Sequence, residues 1–304
     1  MSTAHTGLVA IVGRPNVGKS TLLNALVGEH VSITSRKPQT TRDRVLGVLT
    51  QGEAPSTRQF VFVDTPGFQR QHKSLLTRRM NESVRRALGE VDAIVLVIEA
   101  VRGWTSQDEA VLALLPKIDE ATQSRVVLAV NKTDELTERD KLLPLLALSA
   151  QKHPFAALVP VSAERGRQLD DLLQAVAKLL PEAEPLFAAE QFTDRPVRFL
   201  ASELIREKAF RLLGDELPYG IAVIIERWTE TEARVEIIAT ILLERESHKG
   251  IVIGAGGAKL REIGRLARLD IAKLLDKAVH LETHVRVRRG WSDDAGQLAS
   301  LGYE

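Results

Sequence analysis

Residues 8–21 read LVAIVGRPNVGKST. Leu8–Val12 is a short, almost wholly apolar run of the kind that forms a strand buried on both faces. Gly13–Ser20 fits the phosphate-loop pattern G-x-x-x-x-G-K-[ST], and Lys19–Val27 continues with helical patterning. A strand feeding a glycine-rich loop that opens a helix is the context the pattern needs. The glycines let backbone N–H groups wrap an anion, and the helix N-terminus adds the positive end of its dipole. The expected phosphate-binding residues are Gly13, Arg14, Pro15, Asn16, Val17, Gly18, Lys19, Ser20 and Thr21. Lys19 would reach β- and γ-phosphates, and the Ser20 hydroxyl would ligate Mg²⁺.

Three further segments sit directly after apolar runs. Asp64–Gly67 reads DTPG after Phe60–Val63. An Asp at a strand end can hold Mg²⁺ through water, and the Gly67 N–H can sense a γ-phosphate. Asp64, Thr65, Pro66, Gly67 and Phe68 form the expected second switch. Asn131–Asp134 reads NKTD after Val126–Val130. A carboxylate at Asp134 can accept from both N1–H and the 2-amino group of guanine, which adenine cannot offer; such a site rejects the wrong base by factors of about 10⁴. Asn131 and Lys132 would orient and cover the ring. Ser162 and Ala163 follow the last run of this region, where a backbone N–H would meet guanine O6. Each tetrapeptide alone is an ordinary turn; the four in order, each at the C-terminal end of a strand, are jointly specific for a guanine-bearing phosphate ligand. They count against a nucleotide kinase using the same loop, as does the absence of a lid-type Arg-rich insertion. Phe68 stands where a water-orienting Gln often stands, so intrinsic hydrolysis is expected to be slow.

Over residues 7–180 apolar runs alternate with helical stretches at Lys19–Val27, Leu75–Leu88, Ser106–Leu115, Arg139–Ala150 and Gln168–Leu180. That alternation predicts an α/β fold, a mostly parallel sheet with flanking helices. Arg44–Leu49 reads as an antiparallel edge strand paired with Arg58–Val63. Pro181, Pro185 and Pro196 then punctuate an acidic stretch. Beyond it the order changes to α-β-β-α-α-β: Val197–Leu213, Ile221–Trp228, Ala233–Leu243, Glu246–Ile253, Lys259–Leu275 and Val279–Val287. The expected division is a nucleotide domain over 1–181, a linker over 182–196 and an α+β module over 197–304.

Ile251–Lys259 reads IVIGAGGAK, with a G-x-x-G turn at Gly254, Ala255, Gly256 and Gly257 between two helical stretches. Such a turn brings backbone close to sugar-phosphate and clamps about four nucleotides. Lys249, Lys259, Arg261, Arg265 and Arg268 flank it and would add phosphate affinity. Ile251 and Ile253 would line an apolar groove for bases. Trp291 reads equally as a stacking surface or as a cap on the core.

The 304-residue chain carries 41 Lys+Arg against 40 Asp+Glu, a balance that argues against a polyanion partner until it is resolved along the chain. Glu190–Glu244 holds 7 basic and 11 acidic residues, whereas Arg245–Arg289 holds 11 basic and 5 acidic, the local asymmetry a nucleic-acid face needs. Zero cysteines exclude disulfides, Cys-ligated zinc, iron–sulfur clusters and thiol nucleophiles. No apolar run reaches the ~20 residues of a spanning helix, and the N-terminus lacks signal-peptide features. The chain reads as soluble and cytoplasmic.

The nucleotide motifs resemble those of the translation-factor-like GTPases, and the α-β-β-α-α-β region with its G-x-x-G resembles a type II KH domain. Together with SRKPQTTR, DTPGF, HKGIVIGAGG and the terminal GWSDD, they make nearly the whole chain similar to the bacterial Era-type GTPases. That resemblance implies GTP hydrolysis with Mg²⁺ and binding to the 3′ end of 16S ribosomal RNA in 30S subunit assembly. It maps the magnesium-binding Thr of the first switch to Thr41, with Thr40 as second candidate, and Asn16 to a K⁺ contact. It also implies a monomer and peripheral association with the cytoplasmic face of the inner membrane. Two positions depart from the family: Ala255 stands where Lys is common, and Ser292 where a basic residue often follows the Trp.

Overall fold

The structure, a computed structural model, describes residues 4–34, 44–53, 56–68, 75–116, 124–213 and 220–300. It divides into two compact units whose main boundary in sequence falls between Asp194 and Arg195, with two short segments before it, from Ile33 and up to Leu76, grouped with the second unit. No helix among the described residues is long and apolar enough to cross a membrane.

The first unit is built on β1 (His5–Val12), β2 (Val45–Gln51), β3 (Arg58–Asp64), β4 (Ala93–Glu99), β5 (Val126–Asn131) and β6 (Ala157–Pro160). The sheet order is β2-β3-β1-β4-β5-β6; β2 is antiparallel to β3 and the other neighbours are parallel. Every residue of β4 is buried, as expected of a central strand covered on both faces. The helices are α1 (Lys19–Val27), α2 (Leu75–Gly89), α3 (Ser106–Leu112), α4 (Leu142–Lys152) and α5 (Leu169–Ala177). They follow the expected pattern with shorter ends. A 3₁₀ turn at Arg139–Lys141 precedes α4, whose Pro144 lies in the first turn where its missing N–H is harmless. Gln168 takes a left-handed φ of 53° as the N-cap of α5. The register aligns Ile11 with Asp64 and Glu99 with Asn131, so the carboxyl ends of adjacent strands share one rim. Strand order reverses on either side of β1, where such folds bind ligands.

Residues 186–193 lie along this sheet. Gln59 on β3 is fully buried. Its Nε2 donates to Thr50 Oγ1 (3.0 Å) and Phe187 O (2.8 Å), and its Oε1 accepts from Leu186 N (2.7 Å) and Phe187 N (2.9 Å). Val48 N donates to Phe192 O (2.8 Å) and Thr193 Oγ1 to Leu46 O (2.7 Å). The proline-punctuated stretch therefore occupies part of the open edge of β2, which would otherwise offer unpaired backbone groups.

The second unit contains α6 (Val197–Leu212), β7 (Ile221–Glu230), β8 (Arg234–Leu243), α7 (Lys249–Ile253), α8 (Ala258–Leu275), β9 (Ala278–Val287) and α9 (Ala295–Ser300). β8 is central, antiparallel to β7 and parallel to β9. Its core uses Val235, Ile237, Ala239, Ile241 and Leu243, every second residue of β8. Ile263, Ala267 and Ile271 at four-residue spacing on α8 pack on them, with Leu204 and Ile205 of α6. The sequence-expected helix over Glu246–Ile253 divides into a 3₁₀ turn at Glu246–His248 and the short α7.

Candidate nucleotide site and RNA-binding turn

The loop from Gly13 to Gly18 joins β1 to α1, with Gly18 as the helix N-cap. Asn16 holds a left-handed φ of 68°. Asn is among the few side-chain-bearing residues that tolerate this region. Val17 is fully buried and anchors the loop to the core. Thr21 follows in the first turn of α1. Lys19 is only 6% exposed, and its Nζ donates to Gly13 O (3.1 Å) and Arg14 O (3.0 Å). Burial lowers its pKa to about 8; the Asp64 carboxylate opposes that shift. A partly desolvated ammonium held by the loop carbonyls is suited to an incoming phosphate.

Ser20 Oγ and Ser32 Oγ both donate to Asp64 Oδ2 at 2.8 Å. Two hydroxyls and a buried carboxylate at one point form an all-oxygen donor set of the kind Mg²⁺ takes. Thr65 Oγ1 donates to Ile11 O (2.9 Å), so this switch residue is tied to β1. Pro66 leads into Gly67, where an added Cβ would lie 2.8 Å from Pro15 Cα; the close approach needs a residue without a side chain. Phe68 is 8% exposed and packs with Val63, Val84 and Leu88 in the core. It faces the hydrophobic interior. Thr40 and Thr41 lie outside the described residues.

The base-loop residues converge as the sequence order requires. Ser162 Oγ donates to Asp134 Oδ1 (2.5 Å) and accepts from Arg165 N (3.2 Å), while Thr133 Oγ1 donates to Val161 O (2.9 Å). Asn131 is 1% exposed; its Nδ2 donates to Val17 O (2.9 Å) and its Oδ1 accepts from Ala163 N (3.0 Å). It staples the phosphate loop to the base loop, and the Ala163 N–H expected at guanine O6 is engaged in that staple. Lys132 adopts a left-handed φ of 64° and pairs with Glu99.

Glu99 and Asp108 are the functional neighbours that sequence reading missed. Both are buried beside Arg14, which pairs with Glu99 and, through Nε at 3.2 Å, with Asp108. The available signals were the position of Glu99 at a strand end, like Asp64 and Asn131, and the Thr105-x-x-Asp108 capping box that starts α3.

In the second unit Gly254, Gly256 and Gly257 have φ values of 72°, 56° and 79°, so the turn needs glycine at three of four places. Ala255 takes the remaining, ordinary position, and a side chain there is admitted without strain. Lys259, Arg261, Arg265 and Arg268 are exposed after the turn, Lys249 is half-buried before it, and Ile251 and Ile253 are half-buried. Arg265 forms two 2.8 Å bonds with Glu262, which shares its charge locally. Trp291 is corrected: it is 0% exposed, so it caps the core and offers no face to a base. Ser292 Oγ donates to Glu244 Oε1 (2.6 Å), an internal bond.

The geometry defines a guanine-nucleotide GTPase unit joined to a KH unit. Residues 8–132 match the family model of the 50S ribosome-binding GTPase, and residues 216–292 that of the KH domain. GTPase Era of Bordetella avium (strain 197N) is 54% identical over 300 residues, spanning 99% of this chain and 98% of that protein. GTPase Era of Stenotrophomonas maltophilia (strain K279a) is 50% identical over 300 residues, again 99% and 98% of the two chains. A crystal structure of Era in complex with MgGDPNP and nucleotides 1506–1542 of 16S ribosomal RNA superposes with a TM-score of 0.91 at 39% identity, covering 99% of each chain. An Aquifex aeolicus Era variant bound to GDP.AlF4⁻ matches equally, with a TM-score of 0.91, 39% identity and 98% and 99% coverage. The chain belongs to the Era family of GTPases.

Proposed function

We propose that the chain hydrolyses GTP to GDP and phosphate and uses its nucleotide state to control a clamp on the 3′ end of 16S ribosomal RNA during 30S assembly. One observation carries the reading: Lys19, Ser20, Asp64, Asp134 and Ser162 converge at the carboxyl ends of adjacent strands, in a chain that also builds a KH fold with a glycine turn. The Era structure holding MgGDPNP and 16S ribosomal RNA supports the same pairing of ligands.

In this reading Gly13–Thr21 binds the phosphates through backbone N–H groups and Lys19. Asp134, held by Ser162, accepts from the guanine edge. Ser20 and Thr41 hold Mg²⁺ directly and Asp64 through water; bound Mg²⁺ neutralises charge on the β- and γ-phosphates. Asn16 contributes to a K⁺ site. Phe68 cannot orient water, so hydrolysis is slow without a further group from a partner, a cation or a rearranged switch. Gly254–Gly257 approaches the RNA backbone, with Lys249, Lys259, Arg261 and Arg265 around it and Ile251 and Ile253 beneath the bases. The nucleotide domain spans 1–181, the linker 182–196 and the RNA module 197–304. The protein acts as a cytoplasmic monomer, and the basic surface near the turn gives it peripheral affinity for the anionic inner membrane.

The test is fluorescence anisotropy with a labelled 16S 3′-end oligonucleotide at fixed salt, comparing GDP with a non-hydrolysable GTP analogue. Tighter binding with the analogue is expected. Equal binding in both states removes the gating, and no specific binding removes the 16S assignment.

A further inference from the structure

Glu99 closes β4 between two loops that the nucleotide motifs treat as separate. One carboxylate oxygen receives Arg14 from the phosphate loop and, at 3.5 Å, the exposed Arg102, and the other receives Lys132 from the base loop. The Glu99 side chain is 8% exposed and that of Arg14 is 5% exposed, so both charges are withdrawn from water. Arg14 is shared between this carboxylate and Asp108, and Lys132 keeps part of its side chain in water, so removing the Glu99 charge leaves its cations under-compensated. Burial works against ionisation of Glu99, but the hydrogen bonds from Lys132 and Arg14 prevail and hold its carboxyl below the usual range.

The supports around Glu99 are rigid. On the far side of Arg14, Asp108 Oδ2 accepts from Thr105 N (3.0 Å) and Thr105 Oγ1 (2.6 Å) as well as from Arg14 Nε. The α3 capping box thus fixes the guanidinium from behind. Lys132 holds a left-handed φ of 64°, a conformation that persists only where the surroundings impose it. Its ammonium on Glu99 is one such constraint.

We propose that Glu99 is a positioning residue that couples the phosphate and base halves of the nucleotide site, so that displacing Arg14 is felt at Lys132 and the reverse. The inference rests on the assignment of these loops to phosphate and guanine. A second connection exists in Asn131, whose amide joins Val17 to Ala163. It is neutral and joins backbone to backbone, so it does not answer to the charge of either side chain.

The experiment measures affinity for a fluorescent GDP in the full chain. Glu99→Gln is expected to bind GDP at least about tenfold more weakly, because the amide turns a donor toward Arg14 or Lys132. The decisive readout is a double-mutant cycle of Arg14→Ala and Lys132→Ala. With Glu99 present the two effects should depart from additivity by at least about threefold; in the Glu99→Gln background they should combine to within about twofold. A lost fold alone would not generate that pattern. Glu99→Asp keeps the charge but lacks the reach to span both cations, and should also remove the coupling; it serves as the second variant if Glu99→Gln does not fold. Additive effects with Glu99 intact overturn the proposal, as does coupling that survives both substitutions, which would assign it to Asn131. Asp134→Asn is the control. If it lowers GDP affinity while Glu99→Gln leaves the cycle unchanged, the guanine assignment stands and only the role of Glu99 falls. If it leaves GDP affinity intact, the base-loop assignment falls and the proposal with it.

Discussion

Gln59→Leu should release residues 186–193 from the sheet while leaving the core volume nearly unchanged. The side chain is fully buried, and its four hydrogen bonds of 2.7–3.0 Å reach Thr50, Leu186 and Phe187. A neutral intramolecular bond contributes about 1 kcal/mol net, and a stranded buried donor costs about 1–3 kcal/mol. Leu186 is 62% exposed, so water can reach its backbone once the amide is gone. The expected loss is therefore below the full sum, about 2–3 kcal/mol. A local opening made 2 kcal/mol easier is about thirtyfold more populated. Cleavage by a dilute protease within 182–196 should accelerate by about that factor, because cleavage follows the open population when reclosing is fast. Thr193→Val, which removes the hydroxyl bond to Leu46 O, should give a rise of about fivefold. Protease mapping with mass spectrometry reads both. An unchanged rate in Gln59→Leu with an unchanged urea midpoint would refute the claim that this amide holds the strand edge closed.

Four other outcomes are open to direct measurement. Asp134→Asn should lower GDP affinity by at least about a thousandfold and improve affinity for the xanthine nucleotide, since the amide can donate where the carboxylate only accepts; competition binding reads the ratio. Lys19 carries a folded-state pKa lowered by burial from 10.5 to about 8, so at neutral pH the fold bears the cost of a buried charge. Above pH 8 the folded lysine sheds its proton before the unfolded one does, and stability should rise by about 3 kcal/mol toward pH 10.5; urea titrations of nucleotide-stripped protein should show this rise, reduced in Lys19→Met. Phe68→Ala should destabilise the fold by about 3 kcal/mol through the cavity it opens, seen as a lower urea midpoint. Gly257→Asp places a side chain at a φ of 79° and a negative charge at the turn, and should abolish oligonucleotide binding in the anisotropy assay.

The parts of the molecule that could be read in advance are those that repeat a pattern. β1, β3, β4 and β5 appear as apolar runs because both faces are covered, and β8 and α8 appear through spacings of two and four. Helix ends were less legible. The start of α5 depends on a left-handed Gln168 and that of α4 on a 3₁₀ turn, neither of which periodicity records. The nucleotide loops were legible because their chemistry needs fixed residue types at fixed spacing. Gln59 was not: inside the run RQFVFVD it reads as a polar strand end, and its partners Leu186 and Phe187 lie 127 and 128 residues away.

Side-chain roles within the motifs were the hardest to read, and the reason is common to Asn131, Trp291 and Glu99. A motif specifies which atoms exist, whereas role depends on what those atoms are already bonded to. The Asn131 amide spends one donor on Val17 O and one acceptor site on Ala163 N, a tie that no spacing records. Trp291 could stack only if a ring face were exposed, and none is. Glu99 shows the converse: one carboxylate at a strand end carries no pattern, yet it receives a cation from each of two motifs that do. Buried polar groups must be satisfied, so they bond to whatever backbone or charge the fold brings near. In this site that requirement joins the phosphate loop to the base loop twice, once through the neutral amide of Asn131 and once through the charge of Glu99. Only the second link can be altered by changing a charge on either side.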